Sequence, residues 1–322
     1  MALSHPLHGI VPPLVTPLVG EDELDGEGLV RLIEHVLGGG VHGVFVLGTT
    51  GEGPCLSNRL QREMVKQTVQ HVAGRVPVLV GVSHPSRAET LSLSNFAADH
   101  GADAVVLAPP FYMPIGQDEF VAYVERLAPQ FPLPWFLYNM PSHVKLHCDR
   151  QTVLKVLELS GIAGVKDSSG NMVYFHRLLE MFADRPDLSL LMGPEELMAE
   201  ATLLGAAGGV CGGANVWPKL YVDLYQAAKQ GDVALVRSLQ AKVLQVTGTF
   251  SQASSYGGSF IASLKTALHL LGICQAQPAS PLLSLTAAER EFVAQRMKSW
   301  DMPETVDQTE QKSLRAARLN EG

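Results

Sequence analysis

The chain has 322 residues, 46% of them hydrophobic and 17% charged, a charged fraction below the usual ~25% that fits a large buried core and argues against disorder. Its net charge of −8 comes without a Lys/Arg cluster, a poor basis for gripping a phosphate backbone, and no nucleic acid partner is expected. The four cysteines, Cys55, Cys148, Cys211 and Cys274, form no CxxC pair, which excludes a dense disulfide scaffold or zinc ribbon and suits a reducing compartment.

The N-terminus, MALSHPLHGI, lacks the charged start and apolar stretch of a secretory signal, and no apolar run reaches ~18 residues. A cytoplasmic protein without a membrane partner is therefore expected. Beyond it, short β-branched runs alternate with amphipathic stretches. The first run is Gly9 to Val15, cut by two prolines and so short or edge-like. An acidic turn, Gly20 to Asp25, precedes a helical pattern with Leu29, Leu32, Ile33 and Val36 on one face, closed by Gly38-Gly39-Gly40. Further strands are read at Gly43–Gly48, Val76–Val82, Ala102–Ala108, Pro134–Asn139, Ile162–Asp167, Leu188–Gly193 and Gly208–Gly213. Helices are read from Ser57, over Ser86–His100, Gln117–Ala128, from about Asp149 to Leu159, and over Pro194–Leu204.

Eight apolar strands, each followed by a helix, are the pattern of a parallel α/β architecture with both strand faces covered. A doubly wound open sheet and a (β/α)8 TIM barrel compete, and eight repeats in barrel length favour the barrel, placed at 1–230 with the active site. From about Gly231 the strands stop. Asp232–Val246, Ser259–Leu271 and Thr286–Trp300 read as a small C-terminal helical appendage over 231–300, and 301–322 as a polar tail.

In a barrel, catalytic groups belong at the C-terminal ends of strands. Of ten lysines, nine lie in helix-like or loop stretches where a solvated ammonium is unremarkable. Lys166 alone ends an apolar strand. Burial disfavours its ammonium form, so it reads either as a nucleophilic amine that captures a ketone or as a snorkelling lysine paired with a carboxylate such as Asp167. Gly48-Thr49-Thr50-Gly51-Glu52-Gly53 ends the second strand and reads as an anion cradle or as a glycine-rich turn with self-capping threonines. Tyr138 and Tyr112 are rim tyrosines, suited to proton transfer or to filling space. His143 and His147 stand four apart in a stretch that reads as loop or strand rather than helix, without an HExxH or carboxylate-rich loop, and no metal is expected there.

GTTGE after strand two, YNMP after strand five and GVKDSSGN at strand six together resemble the dihydrodipicolinate synthase / N-acetylneuraminate lyase family of pyruvate-dependent class I aldolases. The resemblance runs from about Gly9 past Gly231. It implies that Lys166 forms a Schiff base with a 2-oxo acid such as pyruvate, with no cofactor beyond that covalent imine. Thr49 and Thr50 would hold the substrate carboxylate, Tyr138 would transfer protons, and Tyr112 would match a second tyrosine contributed across a subunit interface. Gly48 belongs to the carboxylate loop, while Gly193 and Val210 match positions near the substrate. Similar proteins are homotetramers, dimers of dimers whose C-terminal helices add to the assembly. In the lysine-biosynthetic synthases an arginine follows the serine after YNxP; here that position is His143, which offers no bidentate fork. An aldehyde bearing hydroxyls, as from a 2-oxo-3-deoxy sugar acid, is therefore expected. Condensation of pyruvate with aspartate semialdehyde, dehydration on the same imine, and a non-catalytic 2-oxo acid binder are the alternatives.

Overall fold

The computed structural model describes residue 3 and residues 6–302; the tail, from residue 303 on, lies outside the described residues. Eight parallel strands form one sheet: β1 (Gly9–Ile10), β2 (Val44–Val46), β3 (Val78–Gly81), β4 (Ala104–Leu107), β5 (Trp135–Asn139), β6 (Ile162–Asp167), β7 (Ser189–Met192) and β8 (Gly208–Gly209). Strands β2 to β8 pair in chain order, and β8 pairs β1. The ring closes where Pro13 bridges Phe45 in parallel: Leu14 N–H donates to the Phe45 carbonyl (2.8 Å) and Phe45 N–H to the Pro12 carbonyl (3.0 Å). This is the expected (β/α)8 TIM barrel.

Helices α1 (Gly26–Gly38), α2 (Asn58–Val72), α3 (Arg87–Asp99), α4 (Gln117–Leu127), α5 (Arg150–Leu157), α6 (Met172–Phe182), α7 (Met198–Leu203) and α8 (Pro218–Gln230) follow strands β1 to β8 in turn. Their starts follow from local chemistry. Asp25 accepts from Gly28 N–H at α1, Ser57 from Leu60 N–H at α2, and Asp149 from Thr152 N–H at α5, each satisfying an otherwise unpaired amide of the first turn. Leu29, Leu32, Ile33 and Val36 form the buried face of α1, as their spacing requires. Then come α9 (Val233–Gln252), α10 (Ser259–Leu270) and α11 (Ala287–Lys298). Among the described residues no helix is long and apolar enough to cross a membrane.

Three local readings change. The acidic turn at Gly20 to Asp25 is part of an antiparallel hairpin, Leu18–Gly20 with Glu23–Leu24. Regular pairing in β1 covers two residues, because Pro12 and Pro13 have no N–H to donate, and the chain past Val11 reaches β2 through the Pro12 carbonyl and the Leu14 N–H. The eighth strand stops at Gly209, and Gly212–Asn215 is instead a 3₁₀ turn.

The register between β5 and β6 positions the chemistry. Trp135 pairs Ile162 but Phe136 pairs Gly164, so Ala163 is one extra residue on β6. Such a bulge exchanges the inward and outward faces of everything after it. Downstream, Tyr138 pairs Lys166 and Asn139 pairs Asp167. The bulge requires Gly164: its φ is +157°, and a Cβ there would sit 2.0 Å from the Ser189 carbonyl oxygen. Gly164→Ala is expected to cost more than about 2 kcal/mol of stability, measured as a lowered urea midpoint.

Candidate active site

Paired residues on neighbouring parallel strands face the same side. Tyr138 and Lys166 therefore point together into the barrel mouth, where the Lys166 Nζ lies 3.6 Å from the Tyr138 ring centroid and 5.6 Å from that of Phe45. Asn139 and Asp167 point together to the other side. There the Asn139 amide donates to the Asp167 carboxylate at 2.7 Å and Ser169 Oγ donates to it at 2.8 Å. The carboxylate next to Lys166 in sequence is thus engaged away from it, and burial holds the Asp167 carboxyl above its ordinary range despite these donors and the nearby His147.

The loop after β2 brings the hydroxyls. Leu47 and Glu52 adopt left-handed φ values of 60° and 57°, which turn the chain sharply. The Glu52 and Gly53 amides donate back to the Thr49 and Gly48 carbonyls. Two amides of the expected cradle are thereby spent within the loop, and Thr49 and Thr50 form its face toward the lysine. The tightness of the turn requires glycine at position 53, where a Cβ would lie 2.2 Å from the Leu47 carbonyl oxygen. Thr49 Oγ1 lies 3.2 Å from the Tyr138 hydroxyl.

Tyr138 feels opposing influences. Burial pushes its phenol upward, but the Lys166 ammonium and hydrogen bonds with Thr49, Lys166 and Ser168 outweigh it, leaving the phenol below the usual tyrosine range. His143 lies on a short helical turn, Pro141–Val144, where a loop or strand was expected. Its Nδ1 is 2.9 Å from Ser142 Oγ, and desolvation followed by the Lys166 charge pushes its imidazole below the ordinary value, favouring the neutral form. His147 faces elsewhere, with its ring 4.4 Å from that of Tyr174, so the two histidines share no site.

These groups surround a cavity of about 320 Å³ lined by Thr49, Thr50, Tyr138, His143, Lys166 and Ser168, with Gly193 and Val210 on its wall. Gly193 leaves no room for a side chain, since its Cβ would lie 1.9 Å from Ser168 Oγ. A second cavity of about 290 Å³ adjoins it, sharing Thr49, Tyr138, Met140, His143 and Ile261 and including Gly48 and apolar residues such as Leu93, Phe111 and Leu282. Tyr112 joins neither: it is 85% exposed with φ +76°.

Sequence reasoning missed several wall residues. Ser168 had a signal, since it sits within GVKDSSGN. Thr247, Ser251, Phe260 and Ile261 had none, because α9 and α10 read as an appendage while in the structure they cover the cavity. Glu195 was also missed. Its buried carboxylate accepts from Gly213 N–H (2.7 Å), Tyr221 Oη (2.7 Å) and Thr247 Oγ1 (2.8 Å), tying the loop after β7 to the turn after β8, α8 and α9. Burial raises its proton affinity despite those donors.

The dihydrodipicolinate synthetase family profile matches residues 6–300. An uncharacterized DapA-like lyase of Halobacterium salinarum is 35% identical over 284 residues, 88% of this chain and 91% of that one. A 4-hydroxy-tetrahydrodipicolinate synthase of Methanopyrus kandleri is 33% identical over 297 residues, 91% and 96% of the two chains. Among solved structures, a dihydrodipicolinate synthase from Bacteroides thetaiotaomicron aligns with TM-score 0.89 and 51% identity over 92% of this chain and 99% of that one. A prophage protein of the same family from E. coli K12, solved in complex with pyruvate, aligns with TM-score 0.86 and 26% identity over 92% and 99%.

Glu195 makes the pH dependence of stability testable. A carboxyl that holds its proton more tightly folded than unfolded stabilises fully below the ordinary glutamate range, and that contribution is lost as pH rises through its raised folded value. Glu195→Gln has no proton to lose and should flatten that fall above the ordinary glutamate range in urea unfolding. It should cost no more than about 1 kcal/mol, because the amide oxygen can accept from Gly213 N–H while the N–H₂ turns to the Tyr221 and Thr247 hydroxyls, which can accept.

Proposed function

The chain belongs to the dihydrodipicolinate synthetase family of pyruvate-dependent aldolases and lyases, and on that premise we propose that Lys166 is its Schiff-base residue and that its second substrate is a hydroxylated aldehyde. The observation that carries the first part is the placement of the Lys166 amine in the barrel mouth beside the hydroxyl-linked pair Tyr138 and Thr49. Neutral Lys166 attacks C2 of a 2-oxo acid, the carbinolamine loses water, and a protonated imine remains. In the cleavage direction the Tyr138 oxygen takes the proton of the C4 hydroxyl. The C3–C4 bond then breaks, its electron pair moves through C3–C2 to the imine nitrogen, and an aldehyde leaves. The enamine recovers a proton at C3, and water releases pyruvate and the free amine. Addition runs the same steps in reverse.

Thr49 and Thr50 orient the carboxylate, and holding reactants in line contributes about 7–11 kcal/mol in well-oriented systems. A positioned proton donor and acceptor such as Tyr138 adds about 10²–10⁴-fold, and its lowered proton affinity brings it nearer the working pH. No metal or cofactor is required, because the protonated imine is itself the electron sink. Tyr112, exposed in the single chain, would complete the hydroxyl relay of a second copy in a homotetramer.

The acceptor reading rests on His143 and the cavity wall. Ser168, Glu196, Thr247 and Ser251 offer polar atoms around the lysine, and they match an acceptor carrying hydroxyls better than one carrying a second carboxylate. The names of relatives favour a second reading, condensation of pyruvate with aspartate semialdehyde.

Borohydride with pyruvate should fix a stable mass adduct on Lys166, absent in Lys166→Ala; an unmodified parent protein overturns the imine reading. Pyruvate release from a panel of 2-oxo-3-deoxy sugar acids tests the acceptor, and faster turnover with aspartate semialdehyde overturns that part. His143→Arg introduces a charged fork and should raise kcat/KM for aspartate semialdehyde by about 10–100-fold, the equivalent of one charge-assisted contact.

A further inference from the structure

Glu52 and Lys265 form an ion pair whose side chains are both fully shielded from solvent. It takes no part in the chemistry above, and it contradicts the expectation that every lysine except Lys166 is solvated. Glu52 closes the Thr49–Thr50 loop, whereas Lys265 lies in the middle of α10, 213 residues later in the chain. The remaining contacts extend the tie. Ala279 N–H donates to Glu52 Oε1 at 2.6 Å, and Lys265 Nζ donates to the Gln277 carbonyl at 2.9 Å. One pair of charges therefore joins the carboxylate loop, α10 and the segment after α10.

The same elements form the cover of the two cavities. Ile261, one helical turn before Lys265, lines both; its neighbour Phe260 lines the cavity at Lys166, and Leu282 lines the adjoining one. Two buried charges are a poor way to gain stability, since a well-packed apolar pair of similar volume does as well or better. What charged partners provide beyond an apolar pair is direction, with donors and acceptors at set angles and lengths.

We propose that Glu52 and Lys265 are positioning residues, holding the loop that carries Thr49 and Thr50 against α10 so that the 2-oxo acid carboxylate meets both hydroxyls in line with Lys166. The inference rests on Lys166 forming the imine. It assigns α10 a part in substrate binding, exerted through the loop. Burial, opposed by Glu52, lowers the proton affinity of Lys265, so the pair is sensitive to loss of either charge.

The test is borohydride trapping of pyruvate on Lys166 across pyruvate concentrations, with thermal unfolding in parallel. The double variant E52Q/K265M removes both charges without stranding either. It should unfold within about 5 °C of the parent yet need about tenfold more pyruvate for half-maximal trapping, with a smaller change in the rate at saturation. Glu52→Asp keeps the charge and shortens the reach, so it serves if the double variant does not fold; it should raise half-saturation severalfold. Parental half-saturation in either folded variant shows a purely structural pair and overturns the proposal. A parent that forms no adduct overturns the imine reading and this inference with it, whereas a trapping parent with equally trapping variants overturns this inference alone.

Discussion

The pairing of β5 with β6 is the constraint on which the rest of the site depends. One extra residue at Ala163 sets the phase in which Tyr138 and Lys166 turn inward while Asn139 and Asp167 turn outward. A shift of one position would place the amine among the helices and the acid in the barrel mouth. The acid instead anchors the strand ends from behind: its carboxylate takes Asn139 and Ser169, and its carbonyl accepts the Gly193 amide at 2.7 Å. The inner pair is thus held by a hydrogen-bonded outer pair of the same two strands, and neither face could be rearranged alone.

Around that pair the cavity is built from parts far apart in the chain. Thr49 arrives on a turn with two left-handed non-glycine residues, Leu47 and Glu52, a conformation that persists only where surrounding contacts enforce it. Thr16 and Gln61 hold the loop's carbonyls, and further contacts come from the C-terminal segment. Glu52 is held by Lys265 and Ala279, and Glu195 reaches Thr247 on α9. Two buried carboxylates therefore fasten the helices beyond residue 231 to the barrel rim, and α9 and α10 supply wall residues of their own.

Electrostatics distinguishes the two sides of the cavity. The Lys166 charge lowers the proton affinity of both Tyr138 and His143, but with different results. For the phenol it opposes burial and brings the group toward a usable range. For the imidazole it adds to burial and leaves a neutral side chain where a guanidinium would offer a fork. One ammonium thus lowers the proton affinity of a phenol on one side and helps keep an imidazole neutral on the other.

Much of this was legible without coordinates. Periodicity marked eight strands and the helices between them, because strands covered on both faces are apolar throughout while amphipathic helices carry their 3.6-residue stripe. Motif order placed Lys166, Tyr138 and Thr49 at strand ends, and glycine marked turns too tight for a side chain, as at Gly53. Local signals could not place Asp167 behind the lysine, because a bulge depends on the neighbouring strand. Nor could they show that Lys265 is buried, since a helical lysine reads the same whether water or Glu52 faces it. Contacts such as Glu52 to Lys265 and Glu195 to Thr247 join residues far apart in the chain, so only tertiary packing decided which charges lost their water and which helices became the cover of the site.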